Sequence, residues 1–142
     1  MEPAPRLDKH RHPFARNLHS CLRPQRHQKA MCIFGNRGFF PASVIAGARE
    51  EMQRELNALG HDVLMLDAEA TRHGAVETPT EGAVYANFLR AHRGEFGGII
   101  VCLPNFGDEN GAVAALKDAD VPIWIQAYPD DFDKMGPAMR RD

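Results

Sequence analysis

Four short polar stretches hold the side chains of this sequence that are able to do chemistry. Gly35-Asn36-Arg37-Gly38-Phe39-Phe40-Pro41 sets an arginine between glycines, and residues 67–77 run from Asp67 past His73 to Glu77. Pro104-Asn105-Phe106-Gly107-Asp108-Glu109 ends on two carboxylates, and Gln126-Ala127-Tyr128-Pro129-Asp130 adds an amide, a phenol and another acid. Arg37 is a planar fork of donors suited to a polar ligand or a carboxylate. Its competing role is an ion pair with Asp67 or Glu109. A phosphate cradle fits less well, because the first stretch is neither GxGxxG nor a lysine-bearing P-loop. Asp108, Glu109 and Asp130 together would suit a divalent cation in a receiver-type pocket. Such a pocket also needs an acidic pair where this chain has Asn36 and Arg37, and an aspartate where it has Pro104. Asp108 therefore reads as a helix cap and Glu109 as an acid at a helix N-terminus. His73, Glu77 and Tyr128 read as loop side chains in solvent. His61 and His92 fall at the ends of elements, so no Ser/His/Asp or Cys/His set comes together. Cys32 and Cys102 lie in apolar runs and read as small buried hydrophobes.

The elements that must position these stretches alternate. Residues 31–34 form a strand candidate closed by Gly35. Residues 43–59 follow with Val44, Ala48, Met52, Leu56 and Leu59 on one helical face, Ser43 as the expected cap and Gly60 beyond the end. A second strand is expected at 63–66. Thr78-Pro79-Thr80-Glu81 opens the next helix with a capping box and a proline at its first position; Val84, Phe88 and Ala91, with Tyr85 and Leu89, supply its buried stripe, and Gly94 ends it. Residues 97–103 are apolar on both faces, 109–119 are an alanine-rich helix, and 121–125 a fourth strand. Continuous apolar strands separated by amphipathic helices predict βαβ units and a parallel sheet covered on both faces. The expected class is α/β: a three-layer, flavodoxin-like (Rossmann-like) sandwich with a mostly parallel sheet, whose ligands bind beyond the carboxyl ends of the strands. All four polar stretches fall there. No fifth strand is read between residues 130 and 142.

Composition divides the chain of 142 residues at about residue 30. Residues 1–30 carry a net charge of +5 and few apolar side chains, whereas residues 31–142 carry −7. The first part reads as a basic, disordered tail and the second as one α/β domain. Met31 stands where an alternative start would serve as well as Met1. His10, His12, His19 and Cys21 do not have structural zinc spacing. The tail lacks the aromatic interleaving of a nucleic-acid arm and the apolar core of a secretory signal. No stretch approaches the ~18–20 apolar residues of a membrane span. Three cysteines without paired spacing point to a reducing, cytoplasmic setting.

Taken together in order, the loops at 35–41, 103–109 and 126–130, with the terminal Arg140-Arg141-Asp142, resemble the N-terminal domain of the L-fucose/L-arabinose isomerase-like family. The likeness is to its fucose isomerase-like branch and covers about residues 31–142. The resemblance implies a larger aldose–ketose isomerase, of which this chain would be a truncated first domain. It implies manganese as the family's metal, with ligands outside this chain and none bound by this fragment. It also implies a homo-oligomer in which this domain recognises sugar hydroxyls, often at a neighbour's site. Arg37 matches that role, with Asn105, Glu109, Gln126 and Tyr128 as further rim positions, and no catalytic residue is assigned. Neither nucleic acid nor membrane is expected as a partner. The alternative is a stand-alone α/β ligand-binding or interaction module without catalysis.

Overall fold

A computed structural model describes residues 28–128. The expected tail, the Arg140-Arg141-Asp142 motif and Asp130 therefore lie outside the described residues, apart from the tail's last positions. Strand β1 (Lys29–Phe34) is followed by α1 (Ser43–Ala58) and β2 (Val63–Met65). A short 3-10 turn (Arg72–Gly74) precedes α2 (Pro79–Ala91), and β3 (Phe96–Leu103), α3 (Glu109–Leu116) and β4 (Ile123–Ala127) complete the order. β1 begins at Lys29, so its first two residues belong to the domain rather than to the tail. β4 lies two residues later than the sequence pattern predicts, because Pro122 precedes the ladder and Ile123 is the first residue registered, on Ile99.

All four strands are parallel, in the order β2-β1-β3-β4. That order is the opening of a flavodoxin-like doubly wound sheet. Alternate side chains of the two central strands enter opposite cores. Ala30, Cys32, Phe34, Ile100 and Cys102 pack under α1 through Ile45, Ala48, Met52 and Leu56. Met31, Ile33, Ile99 and Val101 pack under α2 and α3 through Tyr85, Leu89 and Ala115. The result is three layers, and strands buried on both faces explain the near-continuous apolar runs. The buried stripe of α2 centres on Tyr85 and Leu89 rather than on Val84, Phe88 and Ala91; Val84 and Phe88 are half-buried and Ala91 is exposed.

The helix ends set the loop exits. Thr78 accepts from the Glu81 backbone and Glu81 returns to the Thr78 backbone, completing the expected capping box, with Pro79 at the first position. Gly60 ends α1 in the left-handed region; its N–H donates to Asn57 and that of His61 to Leu56, a Schellman closure. Ser43 is not the cap of α1. Ala42 holds that place and offers no side-chain bond. α2 and α3 approach closely at Gly82 and Gly111: a Cβ on Gly82 would sit 2.5 Å from the Gly111 carbonyl oxygen, and one on Gly111 2.6 Å from that of Glu77. This contact brings the start of α3 against the segment that leads into α2.

Candidate functional site

β1 and β3 are neighbours whose following connections run to opposite sides of the sheet. In such sheets the crevice beyond that pair of strand ends is where ligands bind. Here the loops after β1 and β3 are tied to each other across it. Asn105, only 5% exposed, donates from Nδ2 to Asn36 Oδ1 at 2.8 Å and to the Pro41 carbonyl at 3.3 Å. Its Oδ1 accepts from the Arg37 backbone N–H at 3.2 Å. Asn36, 1% exposed, passes the chain on: its Nδ2 donates to Glu77 Oε2 at 2.8 Å. The two amides thus point the same way and end on a carboxylate, so each bond polarises the next. The Asn36 backbone N–H meets the Val76 carbonyl, and an isolated parallel bridge joins Gly35 to Val76.

Glu77 is held in this network rather than in open solvent, which corrects the sequence reading. Arg72 approaches its Oε2 at 3.9 Å, and the Glu77 backbone N–H donates to Glu81. The preceding segment is fixed from both faces of the sheet. Arg49 of α1 donates to the carbonyls of Leu66, at 2.6 Å, and Gly74, at 3.1 Å, with its guanidinium 5.4 Å above the Phe34 ring. The buried Tyr85 hydroxyl of α2 donates to the same Gly74 carbonyl. Burial pushes that phenol well above its usual range.

Arg37 and Glu109 meet at the outer lip, Nη2 to Oε2 at 3.3 Å. The ion pair weighed against ligand binding for Arg37 is therefore present, with Glu109 and not Asp67 as partner. An exposed pair of this kind contributes only ~0–1 kcal/mol. Asp108 caps α3 by accepting from the Asn110 and Gly111 N–H groups. An aromatic ladder lies beside the pair. Phe40 stacks on Phe106 with centroids 4.9 Å apart and touches Phe39 at 4.7 Å, and the Arg37 guanidinium sits 5.6 Å over Phe39.

The other two rim positions behave differently. Gln126 lies within β4, registered on Cys102; its Nε2 reaches the Ala127 carbonyl at 3.5 Å, and its Oε1 is buried without a partner. Tyr128 packs half-buried against the core under α1, and desolvation drives its phenol far above the ordinary value. Sequence reasoning thus places Arg37, Asn105 and Glu109 in one cluster, while Gln126 and Tyr128 border the core at the end of β4. It passes over Asn36, Glu77 and the three phenylalanines. For Asn36 the available signal was a polar residue directly after an apolar strand and its closing glycine.

Among the described residues no group of three His, Cys, Asp or Glu is placed to hold a metal ion. Glu77 is engaged by Asn36, Asp108 by backbone N–H groups and Glu109 by Arg37, so the rim acids do not converge as a donor set. Cys32 and Cys102 are free, buried thiols, and the hydrogen bond with Cys32, together with burial, raises the Cys102 thiol far out of the nucleophilic range. No helix among the described residues is long and apolar enough to cross a membrane.

The model of the family described as fucose/sulfoquinovose isomerase, N-terminal domain, matches residues 32–142. No curated protein and no solved structure matches the chain.

Proposed function

The chain belongs to the fucose/sulfoquinovose isomerase N-terminal domain family, and from that premise we propose that it is the substrate-recognition and subunit-contact domain of an aldose–ketose isomerase, acting in the cytoplasm and inactive on its own. The observation that carries this reading is the network at the switch point. Asn105 and Asn36 lock the loops after β1 and β3 into one edge, and Arg37, Glu77 and Glu109 project from it as donors and acceptors. A polyol needs such an edge, with hydroxyls that donate to carboxylates and accept from a guanidinium.

Interconverting an aldose and a ketose moves a proton between C2 and C1, which requires a base at the carbon and an electrophile at the two oxygens. The described residues supply neither as a set, since each rim carboxylate is already engaged. Manganese does not fit them, so no step here runs through a metal, and its ligands belong to other parts of the isomerase. The role left to this domain is to bind and orient. Arg37 keeps N–H groups beyond the one given to Glu109. Ile123 and Ile125, exposed on β4 at the edge of the sheet among the described residues, provide apolar surface for contact with a second subunit.

The test is a pair of measurements on the chain. With manganese and a panel of deoxy- and pentose sugars it gives no turnover, and the amide resonances of Arg37 and Asn105 shift on sugar addition. Arg37→Ala weakens sugar binding with little change in melting temperature. Turnover above a metal-only blank would put the chemistry inside this chain. A large loss of stability with unchanged sugar affinity would reduce Arg37 to its ion pair.

A further inference from the structure

Phe106 is the bulkiest of the non-glycine residues with positive φ among those described, at 71°. A side chain of this size pays a steric penalty there that Gly107, next to it at 69°, does not. The ring is not hidden in compensation; Phe106 is 58% exposed and Phe39 59%. Strained backbone that presents a side chain to solvent is characteristic of a binding site rather than of a core. Phe39 stands on the loop that leaves β1 and Phe106 on the loop that leaves β3, and Phe40, which stacks on Phe106, joins the two rings.

The charges beside them are one-sided. Asp67, Glu69, Glu77, Glu81, Asp108 and Glu109 belong to the loops and helix starts of this edge, against Arg37, Arg49 and Arg72. Every one of those arginines is engaged: Arg37 with Glu109, Arg72 with Glu77, Arg49 with two carbonyls. An anionic group therefore meets net negative charge, and each of the three arginines of this edge already has a partner. The uncapped start of α1 at Ala42 and the N–H groups that Arg37 keeps beyond Glu109 are the features of this edge that favour an anion, and the surrounding carboxylates outnumber them.

We propose that the Phe39–Phe40–Phe106 ladder is a stacking platform for the C–H face of the sugar, and that this platform and the acidic edge select a neutral sugar over a sulfonated one. The inference rests on the sugar-recognition role proposed above. A sugar ring presents axial C–H groups that pack on aromatic faces, while its hydroxyls reach Arg37 and the carboxylates at the margin.

L-Fucose and sulfoquinovose, the two sugars in the family's description, are titrated separately into the chain while the amide and aromatic resonances of Phe39 and Phe106 are followed. L-Fucose is expected to bind about tenfold or more tightly than sulfoquinovose. Phe106→Gly removes the ring and relieves the backbone, so the melting temperature holds or rises while L-fucose affinity falls about three- to tenfold. Phe39→Ser, at an exposed ring without backbone strain, lowers affinity in the same way. Equal or tighter binding of sulfoquinovose, or unchanged L-fucose affinity in both variants, overturns the platform and leaves the sugar-recognition role standing. Binding of neither sugar overturns that role, and the platform with it.

Discussion

Replacing Asn105 by alanine cuts the tie between the loops after β1 and β3, and its cost follows from the partners left behind. Asn36 Oδ1 loses its donor inside a residue that is 1% exposed. A buried acceptor left unsatisfied costs ~1–3 kcal/mol. The Arg37 N–H and Pro41 carbonyl lose weaker bonds in half-buried loops, where water recovers part of the ~0.5–1.5 kcal/mol each contributes. The sum is ~2–4 kcal/mol. In a domain of about a hundred residues each kcal/mol moves Tm by ~4–8 °C, so Asn105→Ala should melt ~8–32 °C below the parent in a calorimetric or circular-dichroism scan. A shift under ~4 °C would refute the network as a structural tie. Asn105→Asp tests the direction of the bonds. A protonated aspartic acid still donates to Asn36 Oδ1, whereas the carboxylate cannot and adds a like charge near Glu77. Burial and that neighbour raise the folded-state pKa of the new group above its unfolded value of ~3.9. The stability of Asn105→Asp is then fullest below pH ~4 and declines as pH rises through the folded pKa. A gap from the parent that does not change between acid and neutral pH would contradict the assigned donor and acceptor roles.

Two further outcomes follow from other parts of the structure. Gln126→Met deletes an acceptor buried without a partner and should raise stability by ~1 kcal/mol; a lower melting temperature would mean that Oε1 is satisfied in solution. At the opposite edge of the sheet, Glu95 is held below its usual value of 4.5 by hydrogen bonds from Lys29 and then His92, each at 2.8 Å. A depressed carboxylate stabilises the fold above its unfolded pKa and loses that effect as pH falls through the folded one. The melting-temperature gap between the parent and Glu95→Gln should therefore narrow below pH 4.5, and a gap that widens in acid would rule out this pairing.

The layered sheet was legible because its signals are local. The runs around Ile33 and Val101 are apolar at every position, as strands covered on both faces must be, and Thr78-Pro79-Thr80-Glu81 writes the start of α2 in adjacent residues. The start of α1 was misread at Ser43 because a serine beside a helix is a cap only if its backbone is extended; here it is already the first helical residue. The apolar run at 121–125 located β4 but not its register, which pairing with Ile99 decides. In the site, Asp108 was readable as a cap, since its partners lie two and three residues on. Glu77 was not, because its partner Asn36 is 41 residues away.

By itself the sequence determined the alternation of strands and helices, the edge of the sheet on which polar loops gather and the family to which the domain belongs. Each of these depends on residue type within a short window or on motifs in order. Tertiary structure alone decided which loop residues face one another. It turned Asn36, Asn105 and Glu77 from polar loop residues into a directed chain and paired Arg37 with Glu109. It also stacked Phe40 on Phe106, 66 positions apart in the chain. Those contacts exist because the strand order β2-β1-β3-β4 makes β1 and β3 neighbours, so loops far apart in the chain leave the sheet side by side.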